Sequence, residues 1–348
     1  MSAPRIGVLG AGLIGRRHAG IIAGSASADL AGIADPAPAA GTVAAELGVP
    51  HYAGLDRLLA ARPDGVIIAT PNALHVEHAL ACIAARVPVL VEKPLAPDPA
   101  EAGRIVRAAE TAGVPVLVGH HRRHNPRIAA AAQAIRDGRI GRPVAVHGFT
   151  WLMKPADYFA AEWRRQPGAG PILINLIHDI DLMRLFCGAI ATVQAQISNA
   201  VRGHAVEDTA VVTLGFESGA LGTMTLSDTA AGPWSWELTA AENPDYPATG
   251  QSCYQIAGTE GALEVPNLRL WRYPRAVSWH APVEPVAIAT RDADPLRIQI
   301  DHFAQVIRGA APLVTARDGL AATEAVDAVR RAARDGITIR LGGKAGRS

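Results

Sequence analysis

The sequence is short of cysteine, of aromatic residues and of net charge, and each shortage excludes something. Its three cysteines, Cys82, Cys187 and Cys253, lie far apart and form no C-x-x-C pair. An odd, scattered set does not make a disulfide framework, and buried structural thiols are expected. The formal net charge is +1 at pH 7, which leaves no basic footprint for nucleic acid. No apolar run reaches the ~18 residues expected of a membrane-spanning helix. The first residues enter an apolar strand without a charged-then-apolar leader, so a cytoplasmic location is expected. Phe, Trp and Tyr together make up only 5% of the chain. No low-complexity segment or short repeat is present. What remains is an ordinary globular composition over 348 residues, long for one core, and two domains are expected.

The first 35 residues carry the strongest signal. An apolar run at 6–9 reads as a buried parallel strand and leads straight into Gly10-Ala11-Gly12-Leu13-Ile14-Gly15, a match to G-x-G-x-x-G. A helix-like stretch and a second apolar run at 30–34 follow, ending in Asp35, about 20 residues beyond Gly15 as a dinucleotide fingerprint requires. Gly10 permits the tight turn, Gly12 lets a pyrophosphate approach the backbone, and Gly15 lets the helix pack against the strand. The free N–H groups of the helix start, with Leu13 and Ile14 among the loop residues, favour the phosphates. Asp35 can accept from ribose hydroxyls and would repel a 2′-phosphate. Pro36, Ala37 and Pro38 follow it, with no Arg or Lys to welcome that phosphate. NAD is therefore expected in preference to NADP.

Strand-like runs at 6–9, 30–34, 65–69, 87–91 and 114–118 alternate with helical stretches at 42–47, 55–61, 75–85 and 99–112. This is the rhythm of a doubly wound parallel sheet. Polar residues sit at the strand ends, where such a sheet binds its ligands: Thr70-Pro71-Asn72, then Glu92-Lys93-Pro94, then 119–123. The rhythm changes near residue 123. A helix at 126–137, a strand at 144–151, a polar segment with aromatics at 154–166, a turn at 167–171 and a helix at 172–186 come next. Strands at 192–199, 208–216, 221–228, 252–258 and 261–265 precede two helices at 296–308 and 319–334 and a last strand at 338–341. An α+β domain with a mainly antiparallel, open-faced sheet is expected over 123–348, after a dinucleotide-binding domain over 1–122.

Taken in order, these motifs resemble the Gfo/Idh/MocA oxidoreductases, over essentially the whole chain. The markers are GAGLIG at the start, TPNALH at 70–75, EKP at 92–94, GHHRRHNP at 119–126, WRR at 163–165, GPILINLIHDID at 170–181 and GTEGAL at 258–263. The resemblance implies an N-terminal Rossmann domain and a C-terminal domain whose open sheet packs against another subunit, as a homodimer or homotetramer. It implies NAD(P)-dependent hydride transfer at a carbinol carbon of a sugar, inositol or related polyhydroxy substrate. Two other readings stay open: a dehydrogenase of a dihydrodiol or hydroxy acid, and a non-catalytic dinucleotide-binding regulator.

Lys93 sits at a strand end beside Glu92. An ammonium there can hydrogen-bond a substrate oxygen and stabilise an alkoxide, and the resemblance puts the catalytic lysine at this EKP. His178 matches the family's histidine, a residue suited to acid–base work. The family's aspartate four residues earlier is replaced by Ile174, with Asn175 beside it as a neutral orienting group for substrate. Thr70, Asn72, His75, Glu92 and Lys93 are expected along the cofactor path, with helix capping as the alternative for His75. His121 matches a family position near the nicotinamide. Trp163 and Arg164 resemble a pair that reaches the cofactor, and Arg suits a pyrophosphate; domain packing is the alternative for Trp163. Lys154 and Tyr158 lead a substrate-recognition pool that also holds Trp151, Trp234, Trp236, Glu237 and Tyr246. A cationic Lys154 or Arg127 would also suit a carboxylated substrate. No metal site is expected. His178, Asp179 and Asp181 have no Cys or second His at ligand spacing, and neighbours among His120, His121 and His124 would point to opposite sides of a strand end.

Overall fold

The computed structural model describes residues 2–166 and 168–342, so Pro167 of the expected turn at 167–171 lies outside the described residues. The chain forms two compact units. The first runs to His124 and takes in Ala293–Thr323; the second holds Asn125–Asp292 and the chain from Glu324 onward. Sequence order puts 293–323 with the second domain, but packing puts it with the first. Phe303 and Ile307 fill the space beside Gly65, where a side chain would collide with them, and Ile300, Phe303 and Ala304 belong to the first unit's core.

The first unit is built on six parallel strands: β1 (Arg5–Leu9), β2 (Asp29–Ala34), β3 (His51–Tyr52), β4 (Gly65–Ile68), β5 (Val89–Val91) and β6 (Val116–Val118). Their order is β3-β2-β1-β4-β5-β6. Every residue of β4, β5 and β6 is buried, as expected of strands covered on both faces. The helices are α1 (Leu13–Ala23), α2 (Pro38–Glu46), α3 (Leu55–Ala60), α4 (His75–Ala84) and α5 (Pro99–Ala112). Asp98 caps α5 by accepting from Glu101 N, Pro99 opens it, and Gly113 ends it at φ 65°. The strand order reverses between β1 and β4, so the loops after β1, β4, β5 and β6 open at a topological switch point.

The second unit opens with α6 (Pro126–Arg136) and β7 (Pro143–Trp151), then α7 (Ile177–Cys187). β8 (Ile190–Ser198), β9 (Thr209–Phe216), β10 (Leu221–Ser227), the short α8 (Trp236–Thr239), β11 (Tyr254–Gly258), β12 (Gly261–Val265), β13 (Arg269–Arg272) and β14 (Glu284–Ala287) follow. α9 (Pro295–Ile307) belongs to the first unit, α10 (Ala316–Asp335) carries the boundary between the units, and β15 (Ile339–Arg340) ends the described chain. Nine strands form one sheet in the order β14-β13-β12-β11-β7-β10-β9-β8-β15. Among the described residues of this sheet, only β7 and β10 run parallel. Along β7, Val146, Gly148 and Thr150 are buried while His147, Phe149 and Trp151 are half-buried, the period-2 alternation of a one-sided sheet. Gly148 lacks a side chain where Met183 of α7, Met224 and Tyr254 come together.

Three departures from the sequence reading have physical causes. The strands β3, β13 and β14 are two to four residues long, and all of β14 is exposed, so no buried run announces them. The helix expected at 172–186 begins as a wider π-helical turn, Ile172–Leu176, before α7. The chain after β6 is a 3-10 turn, His121–His124, so strand alternation does not describe those histidines.

Candidate active site

In the first unit the glycine loop has the geometry that its residues imply. Gly10 holds φ 97°, and a side chain there would press on the backbone at Ala69 and Thr70. A side chain at Gly15 would overlap the carbonyl of Gly10. At Gly12 nothing lies within 4 Å of where a side chain would start, so that backbone is open. No side chain caps α1 and no acid occupies its first turn, which leaves the positive helix end for an anion. Leu13 is 93% exposed beside it and Ile14 is half-buried. Asp35 ties the loop to the end of β2. Its Oδ2 accepts from Ala11 N at 2.7 Å and its Oδ1 from Ala37 N at 2.8 Å. A carboxylate has about four lone-pair sites, so acceptor capacity remains for ribose hydroxyls. The residues fit a nicotinamide dinucleotide: an open glycine backbone, an uncapped helix start and an acid at the second strand end.

The other strand ends divide into groups that are spent and groups that are presented. Thr70 Oγ1 pairs with His78 Nδ1 at 3.1 Å, and Asn72 is exposed at the start of a 3-10 turn. His75 departs from the expectation that it lines a ligand path. It is buried, with Nδ1 2.7 Å from Pro94 O and Nε2 2.9 Å from Thr70 O. Each ring nitrogen faces a carbonyl oxygen, so the ring sits between the 70–75 loop and the loop after β5 and donates to one of them.

Lys93 is half-buried at the end of β5, and its peptide bond to Pro94 is cis. Glu92 is buried, with Oε1 2.8 Å from His18 Nε2 and Oε2 accepting from Lys93 N at 3.2 Å. Gly119 leaves room for that carboxylate. Burial alone would raise the Glu92 pKa. The hydrogen bond with His18, its charge and that of Lys93 outweigh burial and hold the carboxyl below its ordinary range. Glu92 was expected among the cofactor residues; its observed partners are His18 and the Lys93 backbone. His18 is a residue the sequence reading missed. The available signal was a histidine on the inward stripe Gly15, His18, Ala19 and Ile22 of α1. Burial, then the Arg122 charge, push His121 down to about 3, so its ring is neutral at neutral pH.

In the second unit, Asn175 and His178 are both buried, one at the end of the π turn and the other in the first turn of α7. Asp179 is fully buried and accepts from Thr150 Oγ1 at 3.0 Å and from the Tyr254 hydroxyl. It anchors the start of α7 to β7 and β11. At the front of the π turn, Glu207 Oε1 accepts from Ile172 N at 3.2 Å, and a side chain at Gly170 would collide with that carboxylate. Burial raises the Glu207 pKa, partly offset by backbone hydrogen bonds including the one from Ile172.

Residues 154–164 gather around Tyr158. The Arg164 guanidinium lies 4.1 Å from the ring centroid, and Arg164 Nη1 donates to Tyr158 O at 2.7 Å. Arg164 was expected to reach a pyrophosphate; here it is stacked and hydrogen-bonded within its own segment. Trp163 is exposed beside it. Lys154 Nζ lies 5.0 Å from the same Tyr158 ring and 3.7 Å from Asp228 Oδ2. Three members of the recognition pool belong elsewhere. Trp151 and Trp234 pack edge-to-face at 5.5 Å and join Phe149 on the half-buried face of β7, opposite Thr150. Trp236 is buried, with Nε1 donating to Glu242 Oε2 at 2.8 Å. Arg127 is paired with Asp292 through Nε and Nη2. Tyr246 and Glu237 stay near Lys154 and Tyr158: Glu237 is felt by Lys154, and both Glu237 and Tyr158 by Tyr246. Among the described residues no three His, Cys, Asp or Glu side chains gather to hold a metal ion, and no helix is long and apolar enough to cross a membrane. The three cysteines are buried, with burial raising Cys82 and Cys187 to about 12.

A parallel 3-2-1-4-5-6 sheet, an open glycine loop and an acid at the end of the second strand define a dinucleotide-binding oxidoreductase fold. Comparison with known proteins agrees. Residues 4–120 match the oxidoreductase family with an NAD-binding Rossmann fold, and residues 128–264 match the GFO/IDH/MocA C-terminal domain. The chain is 30% identical over 336 residues to the rhizopine catabolism protein MocA of Rhizobium meliloti, covering 93% of each. It is 27% identical to the NAD(+)-dependent scyllo-inositol 2-dehydrogenase of Bacillus subtilis, covering 97% of this chain and 96% of that one. Among solved structures, the WlbA dehydrogenase of Bordetella pertussis in complex with NADH and UDP-GlcNAcA superposes with a TM-score of 0.78 at 27% identity, covering 99% of this chain and 100% of that one. The chain belongs to the Gfo/Idh/MocA oxidoreductase family.

Proposed function

We propose that this oxidoreductase is an NAD-dependent dehydrogenase of a sugar, an inositol or a related polyhydroxy compound. The observation that carries the reading is Lys93: a half-buried ammonium at a strand end of the switch-point sheet, on a loop that the Glu92–His18 pair and the His75 bridge hold in place. Gly10, Gly12, Leu13, Ile14, Gly15 and Asp35 would hold the dinucleotide, with Thr70, Asn72 and His121 on the neighbouring strand ends. A bound nicotinamide supplies the hydride acceptor. Lys93 hydrogen-bonds the substrate hydroxyl oxygen and stabilises the alkoxide as its proton leaves. His178 takes part in that proton transfer, and Asn175 orients a substrate hydroxyl. Asp35 faces the loop with a negative charge and uses the Ala37 N–H, a donor that a 2′-phosphate would want, which supports NAD over NADP. The names of the relatives, among them an inositol 2-dehydrogenase from Rhizobium meliloti, support the polyol class. The presence of both Lys93 and His178 favours turnover over a non-catalytic regulator. Exposed Val144, Ile197, Val211 and Leu221 on the nine-stranded sheet support assembly into a homodimer or homotetramer, and we place the enzyme in the cytoplasm.

The test is NADH absorbance with NAD⁺ and a panel of inositols, aldoses, anhydrosugars, dihydrodiols and hydroxy acids. Turnover on one polyol group, reduced about 10²–10⁴-fold by Lys93→Ala with NADH binding retained, is the expected result. Tight NADH binding with no turnover across the panel would favour the regulator, and tighter binding of NADPH than NADH would overturn the cofactor choice.

A further inference from the structure

Glu207 and Asp208 are adjacent acids just before β9 with different duties. Asp208 serves its own loop: Oδ2 accepts from Val201 N at 3.1 Å and from Arg202 N at 3.0 Å, and Oδ1 from Thr209 Oγ1 at 2.9 Å. Glu207 reaches 35 residues back along the chain, where Oε1 accepts from Ile172 N at 3.2 Å. That N–H is the first that the π turn Ile172–Leu176 presents, because Pro171 before it has none. No N-cap side chain hydrogen-bonds to the turn. Gly170 completes the contact. Unlike Gly168, with φ 97°, it does not have the positive φ that calls for glycine. A side chain there would meet both oxygens of the Glu207 carboxylate, so what Gly170 provides is room.

A carboxylate at the amino end of a helix satisfies an orphan donor and meets the positive end of the helix dipole. Here the carboxylate comes from a distant loop, so it also ties the turn to the strand that follows that loop. The turn carries candidate site residues. Asn175 lies near its end and His178 in the first turn of α7, both buried. Beyond them Asp179 accepts from Thr150 Oγ1 and the Tyr254 hydroxyl. Asn175 and His178 therefore lie between two tied points, Ile172 and Asp179. The wide π register is rare because the α register competes with it. A turn that relaxed to α geometry would rotate Asn175 relative to His178.

We propose that Glu207 is a positioning residue of the active site: its carboxylate holds the π turn and so sets Asn175 and His178 toward the substrate. This rests on the dehydrogenase reading above for what His178 does, and adds the group that fixes where it stands. Glu207 acts through Ile172 and Gly170 and touches no substrate in this role. A glutamine keeps a carbonyl oxygen for Ile172 N, and an alanine removes it. A methyl group at Gly170 would displace the carboxylate from the other side, so substitutions at 170 and 207 address one contact.

The test measures turnover of the best polyol of the panel, NADH affinity and amide hydrogen exchange in the full-length protein. The variants are Glu207→Ala, Glu207→Gln, Gly170→Ala and the double variant Gly170→Ala with Glu207→Ala. At a temperature where it is fully folded, Glu207→Ala is expected to lower kcat about 10–100-fold with NADH affinity unchanged, the effect of misplacing a reacting group by about 1 Å. Glu207→Gln should return most of that rate. Gly170→Ala should act like Glu207→Ala, and the double variant should be no slower than the slower single one, the signature of one shared contact. Exchange over 172–178 should quicken in Glu207→Ala and return in Glu207→Gln, while exchange over 89–95, around Lys93, stays as in the wild type. An unchanged kcat in folded Glu207→Ala would overturn the proposal and leave Glu207 purely structural. So would additive losses at 170 and 207, or unchanged exchange over 172–178. Absence of turnover in the wild type removes the dehydrogenase reading. Exchange quickened only over 172–178 and restored by glutamine then still supports the hold on His178, and unchanged exchange overturns it.

Discussion

Two buried pairs of a basic and an acidic side chain, one in each unit, look alike at first sight and behave differently in space. His18 and Glu92 meet at 2.8 Å, and the second Glu92 oxygen accepts from the Lys93 backbone. That pair is closed on the Glu92 side, where both oxygens are used, and it holds the Lys93 loop; His18 Nδ1 has no hydrogen-bond partner among the described residues. Lys154 Nζ stands 3.7 Å from Asp228 Oδ2, while Arg202 donates to Asp228 Oδ1. That pair is the more open of the two. Proximity of opposite charges alone does not make two pairs equivalent; how fully each carboxylate is hydrogen-bonded counts as well.

Breaking the closed pair is expected to have the larger effect on stability. His18→Leu strands a buried carboxylate and should cost about 3–5 kcal/mol, read as a fall in the denaturation midpoint. Adding Glu92→Gln to His18→Leu should recover part of that loss. An undiminished midpoint in the single variant would mean that the pair is not closed in solution.

Acid sharpens the same contrast in the first unit. His124 is buried against His302, with ring centroids 5.3 Å apart, and burial, then the charges of His302 and Arg123, lower its pKa to about 3. The unfolded chain takes up that proton near pH 6.5, so it binds more protons than the folded chain between about pH 6.5 and 3. Stability therefore falls as pH falls through this window, by roughly 2–3 kcal/mol from pH 6.5 to 4.5 for this residue. His124→Phe should flatten the Tm–pH curve there. The lowered Glu92 pKa acts in the same direction further down: its contribution is present above the unfolded carboxylate range and is lost as pH falls through the folded value.

The smallest effect belongs to the open pair. Lys154→Met leaves Asp228 with Arg202 on Oδ1, so it should cost less stability than His18→Leu. A loss as large as that of His18→Leu would show that Lys154 is structural.

Much of the first unit was legible in the sequence. Runs such as 65–68 and 116–118 are apolar throughout because both faces of a parallel sheet are covered, and Gly10, Gly12 and Gly15 each occupy a backbone environment that a side chain would crowd or close. The candidate site was less legible where it depends on facing. Trp151 and Thr150 are neighbours in sequence and point to opposite faces of β7, so one joins Phe149 and Trp234 while the other holds Asp179. His75 looked like a ligand residue because it follows Asn72, but the loop after β5 sets a carbonyl against its Nδ1.

By itself the sequence determined what local chemistry can write: the strand–glycine–helix start, the period of each strand, the acid after β2 and the lysine after β5. Only the tertiary structure decided which distant groups satisfy one another. His18 and Glu92 are 74 residues apart, Lys154 and Asp228 also 74, and 293–323 returns to a core begun at residue 6. The reason is that burial and hydrogen bonding are settled between segments: a side chain becomes a structural tie or a free donor only once the fold has allotted its partners.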